Sequence, residues 1–314
     1  MSLEKELLAW LKENLPPSGR LPVGLGDDAA VLGGFERAGV VVTTDMLTDG
    51  VDFLLAEVEP RRVGRKALGV NLSDLAAMAA EPVAGFVSLV LPRQGSGRRS
   101  ALELAIELYR GMMPLAEQFQ VEIAGGDTNT WDGPLAISVT AVGKTTLRGP
   151  LTRSGGQVGD QLLVTGRLGG SILGRHLEVE PRVREALQLH ADYQLHGGID
   201  VSDGLALDVA RLAAASGVGA VLELDAIPIA EAAERLAERS GRSALEHALG
   251  DGEDFELVLA APDQEATRIL EDQPLSVPVT RIGELVEETG LWQVEADGQR
   301  TVLAARGYEH RGDE

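Results

Sequence analysis

Residues 197 to 204 read GGIDVSDG, and the apolar run LALDVARLAA follows at once. Two carboxylates and a hydroxyl, Asp200, Ser202 and Asp203, thus stand between glycines at the mouth of a helix. One reading is helix capping, because Ser and Asp side chains accept hydrogen bonds from the unpaired amides of a first turn and suit its positive end. The other is a ligand site. Loops at strand ends and helix starts converge in clefts, and other acidic residues of the chain recur in the same kind of place.

Asp27 and Asp28 lie in GLGDDAAVL, Asp45 ends VVVTTD, Asp74 lies in NLSD and Asp127 ends IAGGD. Most of these sit beside Gly, Ser or Thr at strand ends or helix starts, not on the polar faces of long helices where solvent charge belongs. Gathering them is costly: two unit charges about 4 Å apart repel by about 4 kcal/mol at an effective dielectric near 20. Divalent cations offset such repulsion, and hard ions prefer oxygen ligands. Mg²⁺ in particular shares its octahedron between a few carboxylates and substrate phosphates. Thr43 and Thr44, beside Asp45, add further oxygens. The pattern reads as a cradle of carboxylates, Mg²⁺ and polyphosphate.

The bulk properties narrow the partners. The chain has 314 residues, long for one core, which predicts two domains. Apolar residues make up 44% and charged residues 25%, an ordinary globular composition. No apolar stretch approaches the roughly 20 residues needed to span a bilayer. The N-terminal MSLEKELLAWLKENL has helical spacing and lacks the pattern of a secretory signal, so a first helix and a cytoplasmic enzyme are expected. Cysteine is absent, which removes thiolate nucleophiles and thiolate metal ligands. A net charge of −21 argues against nucleic acid or an anionic membrane as partner. An anionic small molecule fits only if cations bridge it.

Strands are expected at 39–45, 83–92, 121–127 and 135–145, with helices at 60–80 and 97–119 between them. The Gly, Pro and Ser-rich stretch near 148–160 divides the chain into domains 1–148 and 149–314. Beyond it the pattern restarts with QLLVTG, a helix from GGSILGRHL, the helix after VSDG, then GAVLELDAIPI, FELVLAAP and TRIGELV. VNLSDLAAMAA and IDVSDGLALDVARLAA each set Ser-Asp at the head of a small-residue helix, a faint internal echo. The usual phosphate motifs fail. SVTAVGKT has Ser138 where a P-loop needs its first glycine, and GLGDDA lacks the strand, turn and helix setting of a dinucleotide site.

The ordered set GLGDDAAVL, TTDMLTDGVDF, ALGVNLSDLAAMAAEP, IAGGDT, LTRSGGQVGD, IDVSDGL, GDGEDFEL and GYEH resembles the thiamine-monophosphate kinase family of the aminoimidazole-ribonucleotide-synthetase-like superfamily. The resemblance covers nearly the whole chain. It implies an α+β fold of two domains: an N-terminal domain that binds ATP and Mg²⁺ and pairs its sheet with a second subunit in a homodimer, and a mixed α/β C-terminal domain that completes the site. It implies transfer of the ATP γ-phosphoryl group to thiamine monophosphate. Carried over by position, Asp28, Thr43, Thr44, Asp45, Asp74, Asp127, Asp200 and Asp203 look like Mg²⁺ ligands. Tyr109, Gly126, Asp127, Arg153 and Ser202 look like ATP contacts, with Asp45, Asp127 and Arg153 in the catalytic role. Asp52, Glu253, Asp254 and Tyr308 resemble the substrate side, although members often read GVHF where this chain has GVDF at Asp52. Plainer roles stand beside these: Asp27 as a turn residue, Tyr109 as a packing group, Arg153 as a hairpin cap.

Because both reactants are anionic, the expected chemistry is direct in-line transfer without a phosphoenzyme, by positioning and charge neutralisation. Rival readings are a superfamily enzyme that activates a carbonyl or carboxamide oxygen with ATP, a selenophosphate-forming enzyme, which the absence of Cys disfavours, and a non-catalytic nucleotide- or cation-binding protein.

Overall fold

Residues 40–44 are all β-branched and favour extended chain. The strand they begin, β2 (Val40–Thr48), turns Val41, Thr43, Asp45 and Leu47 to one face. In the computed structural model, which describes residues 22–23, 27–32, 39–294 and 298–309, β2 belongs to a five-stranded sheet ordered β1-β2-β5-β3-β4. Its other strands are β1 (Ala30–Leu32), β3 (Ala80–Pro92), β4 (Glu122–Trp131) and β5 (Ala136–Thr145). All neighbours pair antiparallel except β3 with β4. The helix expected at the N-terminus lies outside the described residues.

Helices α1 (Pro60–Ala77) and α2 (Ala101–Gln118) cover one face of this sheet, against buried Val41, Val87, Leu89, Ile137 and Val139. Pro60 starts α1, and Ser100 with Glu103 forms a reciprocal capping box that starts α2. The two helices touch backbone to backbone. A Cβ on Gly64 would lie 1.9 Å from the Leu108 carbonyl oxygen, and one on Gly111 would lie 1.8 Å from that of Arg61. Among the described residues no element packs on the opposite face of the sheet, where Met46 and Phe86 are exposed.

The second sheet has seven strands ordered β12-β11-β8-β10-β6-β9-β7. They are β6 (Gln161–Thr165), β7 (Gly197–Asp200), β8 (Gly219–Leu222), β9 (Leu257–Ala261), β10 (Val279–Val286), β11 (Gly290–Val294) and β12 (Arg300–Val302). The helices of this half are α3 (Val183–Asp192), α4 (Leu205–Ala215), α5 (Glu231–Ser240), α6 (Ala244–Gly250) and α7 (Asp263–Asp272). One apolar core runs through both halves: Leu68, Leu72 and Leu75 of α1 belong to the same cluster as Leu163, Leu257 and Leu259. A second cluster, around Val209, Leu212, Leu222 and Val258, lies within the second half. Among the described residues no helix is long and apolar enough to cross a membrane.

Two sequence expectations are corrected. GGSILGRHL forms two 3₁₀ turns, Ser171–Leu173 and Arg175–Leu177, because Gly174 between them takes φ 134°, which no helix tolerates. The Ser-Asp echo does not mark equivalent positions. Ser73 and Asp74 lie near the C-terminal end of α1, whereas Ser202 and Asp203 precede α4.

The reciprocal glycines make a sharp test of this packing. Gly64→Ala should force α1 and α2 apart and lower stability by about 2 kcal/mol or more. The expected reading is a reduced midpoint of urea unfolding at unchanged slope.

Candidate active site

A cleft of about 1320 Å³ opens between the two halves. Four segments deliver carboxylates to it. The antiparallel pairing of β1 with β2 carries Asp28 alongside Thr43–Asp45, α1 projects Asp74 from below, and β7 ends on Asp200. One oxygen each of Asp28, Asp74 and Asp200 lie within 4.8 Å of one another. The Thr43 hydroxyl donates to Asp74 at 2.5 Å, and the Ser73 hydroxyl donates to Asp200 at 2.6 Å.

Burial, and then this crowding, shift four of the cleft carboxyls upward. Burial and then Asp45 and Asp200 push Asp74 well above the usual carboxylate range, and burial and then Asp28 do the same to Asp200. Burial raises Asp45 to about 6, with Asp203, Asp52 and Asp28 adding to the shift and a hydrogen bond with Asp74 opposing it. Burial and Asp28 raise Asp27 to about 6. Arg153 answers part of this charge: its guanidinium is bidentate on Asp28, at 2.7 and 2.6 Å, and its backbone amide donates to Asp27 at 3.1 Å. Burial opposes the Arg153 charge, yet Asp28, Asp200 and Asp27 together hold it above its ordinary value.

Asp28, Thr43, Thr44, Asp45, Asp74, Arg153, Asp200, Ser202, Asp203, Asp52, Glu253 and Tyr308 all line the cleft. Four residues singled out in the sequence do not. Gly126 and Asp127 lie on the exposed edge strand β4, with Asp127 in register with Ser88 on the bare face of the sheet. A Cβ on Gly126 would lie 1.8 Å from the Val87 carbonyl oxygen, so close strand approach alone requires glycine there. Tyr109 is half-buried against the core from α2. Asp254 is 2% exposed, and both its oxygens accept from the Gly169 amide at 2.9 and 3.0 Å. Asp52 lines the cleft but turns its carboxylate back onto the Thr48 amide at 2.6 Å and the Thr48 hydroxyl at 3.2 Å.

The opening stretch therefore does not act as a simple cap. The N-cap position of α4 is Gly204, without a side-chain cap, and Asp208 reaches back to the amides of Asp203 and Gly204 at 3.0 and 3.1 Å. This leaves Ser202 and Asp203 free to face the cleft, where Asp203 pairs with Arg211. Burial, with Asp203 second, raises Asp208 to about 7.

Comparison with known proteins places this geometry. The family model "AIR synthase related protein, N-terminal domain" matches residues 26–145, and its C-terminal counterpart matches residues 149–292. The thiamine-monophosphate kinase of Rhodopirellula baltica is 45% identical, over 98% of this chain and 97% of its own. That of Escherichia coli K12 is 33% identical, over 93% and 94%. The chain belongs to the thiamine-monophosphate kinase family. Members of that family are phosphotransferases. Among solved structures, "AaThiL complexed with AMPPCP and TMP" superposes with a TM-score of 0.79 at 28% identity, covering 99% of both chains. The thiamine-monophosphate kinase of Stenotrophomonas maltophilia K279a gives 0.72 at 33%, covering 95% of this chain and 98% of that one. The hydrogenase maturation protein HypE of E. coli, at 23% identity and 0.68, shares the fold.

Sequence reasoning missed the residues that hold the cleft carboxylates in place. Ser73, Asp208, Arg211 and Lys66 carry no motif of their own. Lys66 alone left a signal, a charge on the otherwise apolar stripe Val63, Ala67 and Val70 of α1.

Asp254 supplies a test of the site's support. Burial raises its carboxyl to about 7 from 3.8. A raised carboxyl costs stability when ionised, so its penalty is complete above pH 7 and vanishes towards pH 4. Asp254→Asn keeps an acceptor for Gly169 and lacks that penalty. Relative to the parent, the variant should gain on the order of 2 kcal/mol as pH rises from 5 to 8, read by thermal or denaturant unfolding at each pH.

Proposed function

We propose that this chain phosphorylates thiamine monophosphate to thiamine diphosphate with ATP, by direct in-line transfer. The observation that carries the reading is the convergence of Asp28, Asp74 and Asp200, with Arg153 beside them, in the cleft between the halves. Its thiamine-monophosphate kinase relatives, and a structural neighbour solved with AMPPCP and TMP, support the choice of reactants. In the reaction the bond from the terminal phosphorus to its bridging oxygen breaks, and its electron pair stays with ADP. A new bond forms to an oxygen of the acceptor phosphate, which is already largely deprotonated at neutral pH. No general base is needed.

The donor set suits Mg²⁺: it is all oxygen, and burial followed by neighbouring carboxylates raises Asp74 and Asp200, a cost that a cation would offset. Asp28, Thr43, Thr44, Asp45, Asp74, Asp200 and Asp203 would hold it, and it supplies neutralisation of the transferring phosphoryl oxygens. Arg153 serves as a cationic clamp on ATP phosphates, Ser202 as a nucleotide contact, and Glu253 and Tyr308 as contacts to the acceptor. Asp52 and Asp254 shape the loops that carry these groups. The two functional halves divide at 1–148 and 149–314, and dependence on ATP makes the cytoplasm the expected location.

We also propose a homodimer, because one chain leaves Asp127, Gly126 and Tyr109 outside its own cleft. Asp127 is three strands from β2, about 14 Å away, and faces the opposite side of the sheet from Asp45. β1 covers β2 only at Val40–Val42, and among the described residues no strand lies along the outer edge of β2 beyond Val42. β4 is the other edge with no partner strand among the described residues. Two copies joined reciprocally, β4 of each against β2 of the other, satisfy both edges and enclose the bare face bearing Met46 and Phe86. The same pairing sets the segment that carries Gly126 and Asp127 of each copy beside β2 of the other.

Asp45→Asn and Asp127→Asn are each expected to abolish ADP formation in the presence of thiamine monophosphate while circular dichroism stays unchanged. Normal turnover in either variant would remove that residue from the site. Sedimentation at micromolar concentration should give a dimer; a monomer would contradict the pairing of edges. By reciprocal linkage, calorimetry should find an ATP analogue weakly bound in chelator and far more tightly bound with Mg²⁺. Equal affinity in the two conditions would show that the carboxylates are not a metal platform.

A further inference from the structure

Lys66 is completely buried, and an ammonium group out of water requires compensation by specific partners. It has two, from different halves of the chain: the Asp52 carbonyl at 2.8 Å and the Glu253 carboxylate at 2.5 Å. Asp52 and Glu253 both line the cleft and Lys66 does not, so Lys66 can act on a bound molecule only through them. The Glu253 side chain remains 33% exposed towards that cleft.

Glu253 sits in a loop that is held with unusual insistence. Its own φ is 54°, and that of Phe255 is 50°, left-handed conformations that non-glycine residues adopt at a cost. The backbone is fixed on both sides: the Ser171 hydroxyl donates to the Gly252 carbonyl at 2.7 Å, the Glu253 amide to that of Ser202 at 2.7 Å, and the Phe255 amide to that of Val201 at 2.9 Å. Buried Glu256 anchors the far end through a bidentate pair with Arg182, both contacts at 2.7 Å. Backbone strain of this kind persists only where surroundings over-determine it, and it clusters where a side chain must be aimed. Without a cation behind it, Glu253 would face a cleft already rich in carboxylates, and repulsion would turn it outward to solvent.

Lys66, Val70, Ser73 and Asp74 share one face of α1, at helical spacing. Val70 packs on Phe255 and Val179, Ser73 holds Asp200, and Asp74 enters the carboxylate cluster. One helix face therefore sets the separation between the cluster and the Lys66–Glu253 pair. Eight residues at a helical rise make it about 12 Å.

Resting on the kinase reading above, we propose that Lys66 is a positioning residue that fixes Glu253 as the acceptor for the organic end of the substrate. The site thereby selects phosphate monoesters whose far end carries N–H donors or positive charge at that reach. One Glu253 oxygen is engaged by the ammonium, and the other is left to accept from the ligand. The amino-bearing ring of thiamine monophosphate has the required chemistry, and its thiazole phosphate fragment lacks it.

The experiment compares wild type, Lys66→Met, Glu253→Gln and the double variant with two acceptors, thiamine monophosphate and the thiazole phosphate fragment. Lys66→Met and Glu253→Gln should each raise KM for thiamine monophosphate by tenfold or more, the worth of a hydrogen bond to a charged group. KM for the fragment and affinity for Mg²⁺ and an ATP analogue should not move. The double variant should be no worse than either single one, since both remove the same contact. A rise in KM shared by both acceptors, an added loss in the double variant, or a weakened ATP analogue would overturn the positioning role. If Lys66→Met fails to fold, Lys66→Gln, which keeps a donor for the Asp52 carbonyl, takes its place; failure of both to fold would mean that Lys66 is a structural ion only. Absence of ADP formation by the wild type would sink the kinase reading itself, whereas active wild type with unaltered selectivity in the variants would sink this inference alone.

Discussion

Like charge gathered out of water is the constraint on which the rest of this structure depends. Asp28 and Asp200 are nearly inaccessible, and Asp74 joins them within hydrogen-bonding distance of Thr43. No single element could bear that concentration, because neighbouring carboxylates on one strand or helix would splay apart. The fold distributes them instead. Each arrives on a different segment, and each is met by a hydroxyl or a guanidinium: Thr43 for Asp74, Ser73 for Asp200, Arg153 for Asp28. The chain thus brings together groups that repel by anchoring their backbones in a continuous apolar core far larger than the cleft.

Helix α1 is the member that makes this possible. Gly64 lets it press against α2, Leu68, Leu72 and Leu75 bury it in the core shared by both halves, and its remaining stripe of Lys66, Val70, Ser73 and Asp74 meets the second half along the cleft. A helix locked on three sides has little freedom to yield when a ligand arrives. Adjustment falls to the segments that meet it, among them the turn ahead of β1 and the loop after β7. Asp28, ahead of β1, is tied to Arg153, and Asp203, after β7, to Arg211.

Much of this was legible in the chain itself, for stated physical reasons. β-Branched runs ending in Asp or Gly gave the strands of the first sheet, and the stripe in residues 60–77 gave α1. Of the carboxylates that line the cleft, Asp200 ends its strand and Asp28 and Asp203 precede the elements they lead into, as their motifs imply, whereas Asp45 lies within β2 and Asp74 in the last turn of α1, so the reading from strand ends and helix mouths holds for part of the set. What escaped depends on contacts between distant segments. Asp208 caps from inside its own helix, Lys66 finds its anion 187 residues away, and Asp254 differs from its neighbour Glu253 only in which way a strained loop points it. Asp127 stands apart for another reason: its motif is plain, yet nothing in a motif says on which side of a sheet a residue falls. GGSILGRHL read as helical because its apolar spacing was right, and Gly174 alone broke it.

The edges of the first sheet that no described residue covers, β4 and β2 beyond Val42, carry a consequence for the chain while it is being made. β4 is ten residues long, exposed along nearly its whole length, and offers only Glu122 and Asp127 as charges that discourage a stray strand. The bare face beside it adds Met46 and Phe86. A newly synthesised copy is therefore adhesive before it is finished, and two of its complementary edges, if joined head to tail without closing, would propagate into a fibre. The twist of the sheet decides between those fates, since curvature that closes the ring at two copies leaves no edge for a third.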